Sequence, residues 1–295
     1  MDLKHKTKLS LGAAQFGLDY GVANKKGKIL LPDVIDIVKL ARESGVTLID
    51  TAMSYGDSEA VLGQAGVSDF EIVTKIPSIK RLSGDLNEHL ERLITQSLLR
   101  LNVQTLYGIL LHDSSDLGDP RLEEFILALN GFKRSGVIKK IGISVYSPSE
   151  LDVVYDGLDA DIVQLPLNLV DRRFELSGDL NRLKKLGVEI HSRSAFLQGL
   201  LLLPHADLGP KFQKWSGLWG RFEQTLAELG DRAVEVCLGY PMSLKSVDRV
   251  IVGVDSTEHL TEILRVRNSN AFDNSYYFMS SDDETLVNPS KWNVL

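Results

Sequence analysis

Eight short runs of β-type residues, separated by longer stretches, restrict the fold of this chain more than any other feature. Most of the runs are continuously apolar without in-and-out alternation, which is typical of strands buried on both faces of a parallel sheet. The runs cover residues 8–16, 46–50, 70–76, 105–112, 138–144, 160–167, 188–192 and 248–254.

The stretches between these runs carry helical patterns. Segment 85–102 repeats leucine and isoleucine at three- and four-residue spacing, so its apolar side chains form one stripe. Segment 31–45 has Pro32 near its start and Gly45 at its end, the usual asymmetry of helix termini. Further helices are predicted over 121–136, 147–157, 177–187, 221–229, 232–242 and 257–267.

This alternation predicts the fold class. Eight strands interleaved with helices favour an α/β fold, a (β/α)8 TIM barrel, in one domain that spans residues 1–295. A doubly wound sheet is disfavoured because no G-x-G-x-x-G string follows a strand. The polar tail from about residue 268 has no helical period, but its aromatic residues predict that it docks on the barrel. They are Phe272, Tyr276, Tyr277, Phe278 and Trp292.

Composition and charge argue against several classes of function. The net charge of −7 disfavours a nucleic-acid partner, because phosphate binding needs clustered lysine and arginine. The single cysteine, Cys237, cannot form an intrachain disulfide or a cysteine-based zinc site. No apolar run approaches the length of about 18 residues that a membrane-spanning helix needs, and no signal-like apolar region follows the N-terminus. We therefore expect a cytoplasmic protein without membrane or nucleic-acid partners; its oligomeric state is left open.

Four polar side chains stand where the catalytic groups of such barrels lie, at the C-terminal ends of strands and in the loops that follow. Asp50 ends the second run, and Tyr55 lies in the loop after it. Lys75 ends the third run and His112 the fourth. Taken singly, Asp50 could bond loop amides, Tyr55 could be a loop aromatic and Lys75 a surface lysine. Their coincidence at consecutive strand ends favours one shared pocket.

The strings that carry these residues resemble the aldo-keto reductase family, whose tetrad consists of Asp, Tyr, Lys and His. The likeness extends from residue 9 to about 264. It implies an enzyme that reduces an aldehyde or ketone, sugar-derived carbonyls included, to an alcohol with NADH or NADPH. The matching strings are DTAMSYGDSEAVLG from Asp50, IVTKI with Lys75, LLH with His112, and IGISVYS with Ser144.

The chemistry of carbonyl reduction gives the four residue types separate roles. A free phenol, with a pKa of about 10, is a reluctant proton donor at neutral pH. A neighbouring lysine ammonium would lower that pKa, and a carboxylate would hold the lysine charged and oriented. We therefore expect Asp50 to act on Lys75 and Lys75 to acidify Tyr55. His112 would donate a second hydrogen bond to the carbonyl oxygen.

The same resemblance implies cofactor contacts around the barrel mouth. Ser144 and Gln164 match the partners of the nicotinamide carboxamide, although Val145 replaces the asparagine that often follows the serine. Alternatively, the side-chain amide of Gln164 forms its hydrogen bonds with other residues inside the barrel. The other implied contacts are Gly12 and Ala13 near the nicotinamide, Ser194, Phe196 and Gly199 in segment 191–201, and Gly253, Asp255, Ser256 and His259 around the adenosine phosphate.

Arg193 departs from the family pattern. In segment 191–201, HSRSAFLQGLL, it replaces an aromatic residue that stacks on the nicotinamide in the family. A planar guanidinium can also stack, and its charge disfavours the oxidised, cationic ring. Arg193 is therefore predicted to stack on the cofactor or to reach an anionic substrate. The alternative is a structural pairing with a nearby carboxylate.

Acidic residues after the last strand bear on the choice of cofactor. NADPH users of the family place lysine or arginine in this turn, where the chain has Asp255, Glu258 and Glu262, with His259 as the possible cation. One carboxylate near a 2′-phosphate costs about 1 to 4 kcal/mol. The sequence therefore favours NADH or dual use, unless Asp255 is simply the N-cap of the last helix.

Other functions stay open at this point. A non-catalytic, nucleotide-sensing scaffold could share the fold, although the complete tetrad argues against it. An unrelated barrel enzyme could use Lys75 as a Schiff base, but this leaves the cofactor segments unexplained. The sequence identifies neither the substrate, a small carbonyl compound, nor the physiological direction. Trp215, Trp219 and Trp292 either line a substrate pocket or pack against the barrel rim.

Overall fold

The architecture is a closed barrel of parallel strands. The computed structural model describes residues 7–24, 26–81, 84–230, 232–266 and 278–294. Within these ranges each of eight strands pairs with the next, and the eighth pairs with the first. The predicted (β/α)8 fold is confirmed. The strands are β1 (Leu9–Gly12), β2 (Leu48–Asp50), β3 (Glu71–Ile76), β4 (Leu106–Leu111), β5 (Ile138–Ser144), β6 (Ile162–Pro166), β7 (Glu189–Arg193) and β8 (Arg249–Gly253).

Helices connect the strands on the outside of the barrel. They are α1 (Leu31–Glu43), α2 (Ser58–Ala65), α3 (Leu86–Leu101), α4 (Leu122–Arg134), α5 (Asp152–Tyr155), α6 (Arg173–Leu176), α7 (Asp179–Lys185), α8 (Ser216–Glu228), α9 (Ala233–Ser243), α10 (Thr257–Val266) and α11 (Glu284–Val287). Each predicted helix has a counterpart, although α5 is shorter than expected and α8 begins earlier. None of the helices in the described ranges is long and apolar enough to cross a membrane.

Helix α2 was not predicted, and its packing explains why. Its eight residues bury few side chains, so they show no apolar stripe of the usual length. A Cβ added at Gly63 would lie 2.1 Å from the carbonyl oxygen of Arg100, which means that α2 lies almost directly on the backbone of α3. Contact between helices, rather than a local pattern, therefore stabilises α2.

Most predicted strands are too long by one to three residues, because the apolar runs continue into the loops. The largest difference is in β1, which ends at Gly12 while residues Ala14–Phe16 form a 3-10 turn. In contrast, β7 extends one residue further than predicted and includes Arg193. This extension fixes the backbone of Arg193 in the barrel wall, where it pairs in register with Pro166.

The C-terminal segment 278–294 docks on the barrel, as predicted for the aromatic tail. Trp292 is buried, and its ring meets that of Phe212 edge to face at 5.0 Å between centroids. Phe278 packs half-buried against the same core. The backbone N–H of Ser281 donates to the carbonyl of Val170, at 2.8 Å, in the loop after β6. Three further aromatic residues of the predicted tail, Phe272, Tyr276 and Tyr277, lie outside the described residues.

Candidate active site

The barrel brings Asp50 and Lys75 into direct contact at the C-terminal ends of neighbouring strands. Lys75 Nζ lies 2.6 Å from Asp50 Oδ2 and donates to the carbonyl oxygen of Thr51 at 2.8 Å. Both side chains are almost fully buried, at 1% and 6% exposed. A buried charge is stable only when it is paired and hydrogen-bonded, so each of these groups requires the other.

Tyr55 and His112 complete the cluster. Lys75 Nζ lies 5.1 Å from the centre of the Tyr55 ring. The rings of Tyr55 and His112 meet edge to face, with centroids 5.5 Å apart. The structure therefore brings together all four residues that the sequence predicted at the strand ends.

Ser54 is a member of this cluster that sequence reasoning missed. Its Oγ lies 2.9 Å from Nδ1 of His112, so it fixes the orientation of the imidazole. If the hydroxyl donates, the ring proton stands on Nε2, which leaves an N–H for a ligand. Its position next to Tyr55 in the sequence was the available signal.

The protonation states of the cluster follow from burial. Burial and the Asp50 carboxylate raise the pKa of Tyr55 above its ordinary value, with Arg193 acting in the opposite direction. Burial likewise lowers the pKa of Lys75, more strongly than Asp50 raises it. The net effect is a raised pKa for Tyr55, because burial outweighs the neighbouring positive charge, so the phenol holds its proton at neutral pH; the expected acidifying effect of Lys75 stays a prediction.

His112 is neutral at neutral pH. Burial, followed by the charge of Lys75, lowers its pKa to about 4. A neutral imidazole can donate one hydrogen bond without carrying charge.

Close contact between two loops fixes the backbone that carries Tyr55. A Cβ at Gly17 would lie 1.8 Å from the Tyr55 carbonyl oxygen, and one at Gly56 would lie 2.3 Å from the Gly17 carbonyl oxygen. Ser58 Oγ also donates to the carbonyl of Ala13 at 2.8 Å. The loop after β1 therefore clamps the loop after β2 through backbone atoms.

A cavity of about 340 Å³ extends from this cluster across the barrel mouth. This volume falls in the usual range for cofactor pockets. One end is lined by Asp50, Tyr55, Gln164, Arg193 and Ser194, and the other by Asp255, His259, Glu262 and Ile263. Between them lie Gly12, Ala13, Phe196, Gly199 and Gly253, all predicted contacts. Four predicted residues are not among those lining this cavity: Lys75, His112, Ser144 and Ser256.

Gln164 is tied to the tetrad. Its Nε2 donates to Asp50 Oδ1 at 2.7 Å, so the two Asp50 oxygens accept from Gln164 and Lys75 respectively. The alternative, that Gln164 is a polar residue hydrogen-bonded inside the barrel, is therefore correct for its amide nitrogen. Gln164 also lines the cavity, so a contact with the cofactor stays a prediction. Ser144 pairs with it in strand register and is buried.

Arg193 lies on a tyrosine and not on a carboxylate. Its Cζ stands 4.2 Å from the centre of the Tyr146 ring, and Nη2 donates to the Val145 carbonyl at 3.0 Å. Within the described residues no carboxylate lies at ion-pair distance from this guanidinium. The alternative that Arg193 forms a structural ion pair is therefore wrong for these residues.

The far end of the cavity contains an acceptor without a partner. Oδ1 of Asp255 is buried and has no hydrogen-bond partner among the described residues. Ser256 occupies the N-cap position of α10, because its Oγ accepts from the backbone N–H of His259 at 3.3 Å. The alternative that Asp255 caps this helix is thus wrong; its Oδ2 lies 3.9 Å from Nδ1 of His259, and its Oδ1 has no partner in the part of the chain that the structure describes.

Two loops cover the middle of the cavity. The Val22 N–H donates to the Gln198 carbonyl at 3.0 Å, and Gln198 Nε2 donates to the Tyr20 hydroxyl at 3.2 Å. Burial raises the pKa of Tyr20 to about 12. Neither Tyr20 nor Gln198 was predicted as a site residue, because their meeting depends on loops far apart in the sequence.

The residues present fit a dinucleotide. The cavity joins the end at Asp50 and Tyr55 to the Asp255 carboxylate beside a helix N-terminus, and glycines line the stretch between them. The tryptophans do not contribute: Trp219 and Trp292 are buried, and Trp215 packs against Phe212, so the rim-packing alternative is confirmed for this cavity.

The cluster lies at the C-terminal mouth of a parallel eight-stranded barrel, which is where the active sites of such barrels are found. Residues 8–277 match the Aldo/keto reductase family, and the chain belongs to that family.

Individual relatives share about half of the chain. Methylglyoxal reductase DkgB of Salmonella typhimurium is 34% identical over 157 residues, which covers 51% of this chain and 55% of that protein. D-arabinose 1-dehydrogenase of Saccharomyces cerevisiae is 30% identical over 159 residues, 47% of each chain. The chain thus spans about half the length of the curated relatives it matches.

The similarity of fold extends further. The aldo-keto reductase AKR11C1 from Bacillus halodurans superposes with a TM-score of 0.72 over 92% of this chain and 90% of its own, at 21% identity. At that identity the likeness concerns the fold alone.

Proposed function

We propose that this protein is an NAD(P)-dependent reductase that converts an aldehyde or ketone to an alcohol. The observation that carries the proposal is the buried Lys75–Asp50 pair beside Tyr55 and His112, at one end of a cavity that fits a dinucleotide. When bound, the nicotinamide would supply the hydride.

The residues of the chain would supply the proton and hold the carbonyl. Tyr55 retains its proton at neutral pH, so it can donate that proton as negative charge grows on the carbonyl oxygen. Neutral His112 would donate a second hydrogen bond to the same oxygen. Lys75 would then stabilise the phenolate that forms, while Asp50 and the Thr51 carbonyl keep its ammonium in place.

The contacts of Lys75 also weigh against its use as a Schiff-base nucleophile. Its Nζ is buried and donates to Asp50 and to the Thr51 carbonyl oxygen. A nucleophilic amine must reach the substrate and be deprotonated.

The test of the proposal is Tyr55→Phe. We expect kcat to fall by about 10²- to 10⁴-fold, because the general acid is lost, while dinucleotide binding and the unfolding transition stay unchanged. Tyr107→Phe is the matched control: Tyr107 lies at the opposite end of the barrel, where its hydroxyl donates to Glu189, so its kcat should stay normal. Near-normal kcat in Tyr55→Phe would remove Tyr55 from the proton-donor role. Dinucleotide binding without turnover of any carbonyl by the unaltered protein would favour the sensing scaffold.

We further propose that the enzyme prefers NADH or uses both cofactors. The Asp255 side chain lines the cavity and is 26% exposed, and a carboxylate there suits a ribose hydroxyl and repels a 2′-phosphate. Glu262, which also lines the cavity at this end, adds negative charge. At surface dielectric constants each such repulsion costs about 1 to 4 kcal/mol, or roughly fivefold to several hundredfold in affinity.

Titration of both cofactors checks this preference. We expect the unaltered protein to bind NADH at least as tightly as NADPH, and Asp255→Ser to improve NADPH binding by about tenfold or more. Asp33→Ser, which removes an exposed carboxylate from the first turn of α1, should leave both dissociation constants unchanged. Tight NADPH and weak NADH in the unaltered protein would refute the preference.

A further inference from the structure

Arg193 is a fixed positive charge at the reactive end of the cavity. It lines the cavity together with Tyr55 and Gln164. Its charge acts on the cluster, because it lowers the pKa of Tyr55 and of His112, although burial is the largest influence on both. Burial raises the pKa of Asp171 despite the opposing charges of Arg173 and Arg193, and its carboxylate is held by Arg173 at 2.8 Å.

The guanidinium is held by its edge and by one face. Nη2 donates to the Val145 carbonyl at 3.0 Å and Nη1 to Ser194 Oγ at 3.4 Å, so each terminal nitrogen uses one of its two N–H groups within the protein. Tyr146 covers one face at 4.2 Å and does not line the cavity. The open face of the guanidinium is therefore better placed to stack on a flat ring than its edge is to bind a carboxylate through two parallel hydrogen bonds.

Hydride transfer requires the nicotinamide ring to lie within a few ångströms of a carbonyl held at Tyr55, and therefore close to Arg193. The oxidised ring carries a positive charge and the reduced ring does not. All other parts of the dinucleotide are identical in the two forms, so their contacts cancel in a comparison of affinities.

We propose that Arg193 discriminates between the redox states of the bound nicotinamide, favouring the reduced over the oxidised form. The inference rests on the proposed function and extends it: the guanidinium holds the reduced cofactor and promotes release of the oxidised one. Two unit charges about 5 Å apart change affinity by about fourfold at the dielectric constant of water and by a few hundredfold at an effective value of about 20.

Equilibrium binding tests the proposal without relying on turnover. Dissociation constants for NAD+ and NADH, or for the phosphorylated pair if it binds more tightly, are measured by calorimetry and fluorescence for the unaltered protein, Arg193→Met and Arg193→Lys. We expect the ratio Kd(oxidised)/Kd(reduced) to exceed about four in the unaltered protein, to fall at least about fourfold in Arg193→Met, and to be largely kept in Arg193→Lys. Arg134→Met, at an exposed arginine near the end of α4, should leave the ratio unchanged.

Several outcomes would overturn the proposal. One is a ratio Kd(oxidised)/Kd(reduced) in Arg193→Met that stays within twofold of the value in the unaltered protein. If KM also rises for anionic carbonyl substrates alone, Arg193 binds the substrate and not the cofactor. Another is a ratio at or below one in the unaltered protein, which needs no variant and so holds even if Arg193→Met does not fold. Failure of the proposed function is a different result: the unaltered protein would bind neither form of the dinucleotide.

Discussion

At the scale of single residues, burial decides the protonation states in the tetrad. Tyr55 keeps its proton and His112 stays neutral, because low dielectric surroundings disfavour the charged form of each. The buried ammonium of Lys75 forms an ion pair with the Asp50 carboxylate at 2.6 Å. In the proposed reaction the cluster therefore begins with a phenol and a neutral imidazole facing the carbonyl.

The lowered pKa of His112 gives a prediction for stability against pH. The unfolded chain protonates this histidine near pH 6.5, while the folded protein does so only near pH 4, so the unfolded state binds more protons between these values. The free energy of unfolding should thus fall by about 2 to 3 kcal/mol from this group between pH 7 and pH 4.5.

Urea unfolding of the unaltered protein and His112→Gln at both pH values measures this effect. The variant should lose less stability on acidification than the unaltered protein. His89→Gln, at a histidine on α3 that contacts Arg92, should behave like the unaltered protein. Equal losses in the unaltered protein and His112→Gln would contradict the prediction.

At the scale of elements, loops on different strands hold the site residues. The loop after β1 presses on the Tyr55 loop at Gly17 and Gly56, and Gly56 needs its φ of +57°. Buried Glu59 on α2 accepts from Thr74 on β3 at 2.7 Å and pairs with Arg100 on α3 at 2.6 Å. These contacts anchor α2 and, with it, the end of the Tyr55 loop.

Gly17→Ala should displace the Tyr55 loop. The added Cβ would overlap the Tyr55 carbonyl oxygen, and overpacking of this kind costs about 1 to 3 kcal/mol. We expect lower stability together with a fall in kcat of at least about tenfold, since small displacements of a proton donor are costly.

Gly220→Ala is the matched control, because a Cβ at this position in α8 meets no atom of the described residues within 4 Å. It should keep full activity and be at least as stable, since alanine favours the helix. A Gly17→Ala enzyme with normal kcat would show that the loop contact does not position Tyr55.

At the scale of the whole molecule, the two ends of the barrel differ in character. The C-terminal mouth holds the cavity, while the opposite end holds a network around Glu189. This carboxylate accepts from Tyr107 and His191, at 2.8 and 2.9 Å, and pairs with Lys140. Burial alone would raise the pKa of Glu189, but these donors outweigh it and hold the pKa below its ordinary value.

Glu189→Gln should therefore reduce stability and leave catalysis intact. Loss of the paired charge in this half-buried network costs about 3 kcal/mol near neutral pH. Because a depressed carboxylate pKa stabilises the fold above the ordinary value of 4.5, the difference from the unaltered protein should shrink as pH falls below it. Chemical unfolding curves at several pH values, with kcat at neutral pH, measure both effects. A folded Glu189→Gln protein with a large loss of kcat would refute this separation of the two ends.

The sequence by itself determined the barrel and the residues at its mouth. Strand number and order follow from apolar runs and helix ends, which are local patterns. Asp50, Tyr55, Lys75 and His112 could be found because strand ends in a barrel share one face, so position along the chain gives position in the fold.

The tertiary structure alone decided how those side chains are used. Helix α2 depends on contact with α3, and Arg193 rests on Tyr146, 47 positions earlier in the chain. Ser256, rather than Asp255, caps α10 and leaves a carboxylate oxygen facing no partner in the described chain. Burial, not the nearby lysine, sets the direction of the Tyr55 pKa. Each of these outcomes depends on desolvation and on partners distant in sequence, and neither quantity is encoded in a local pattern.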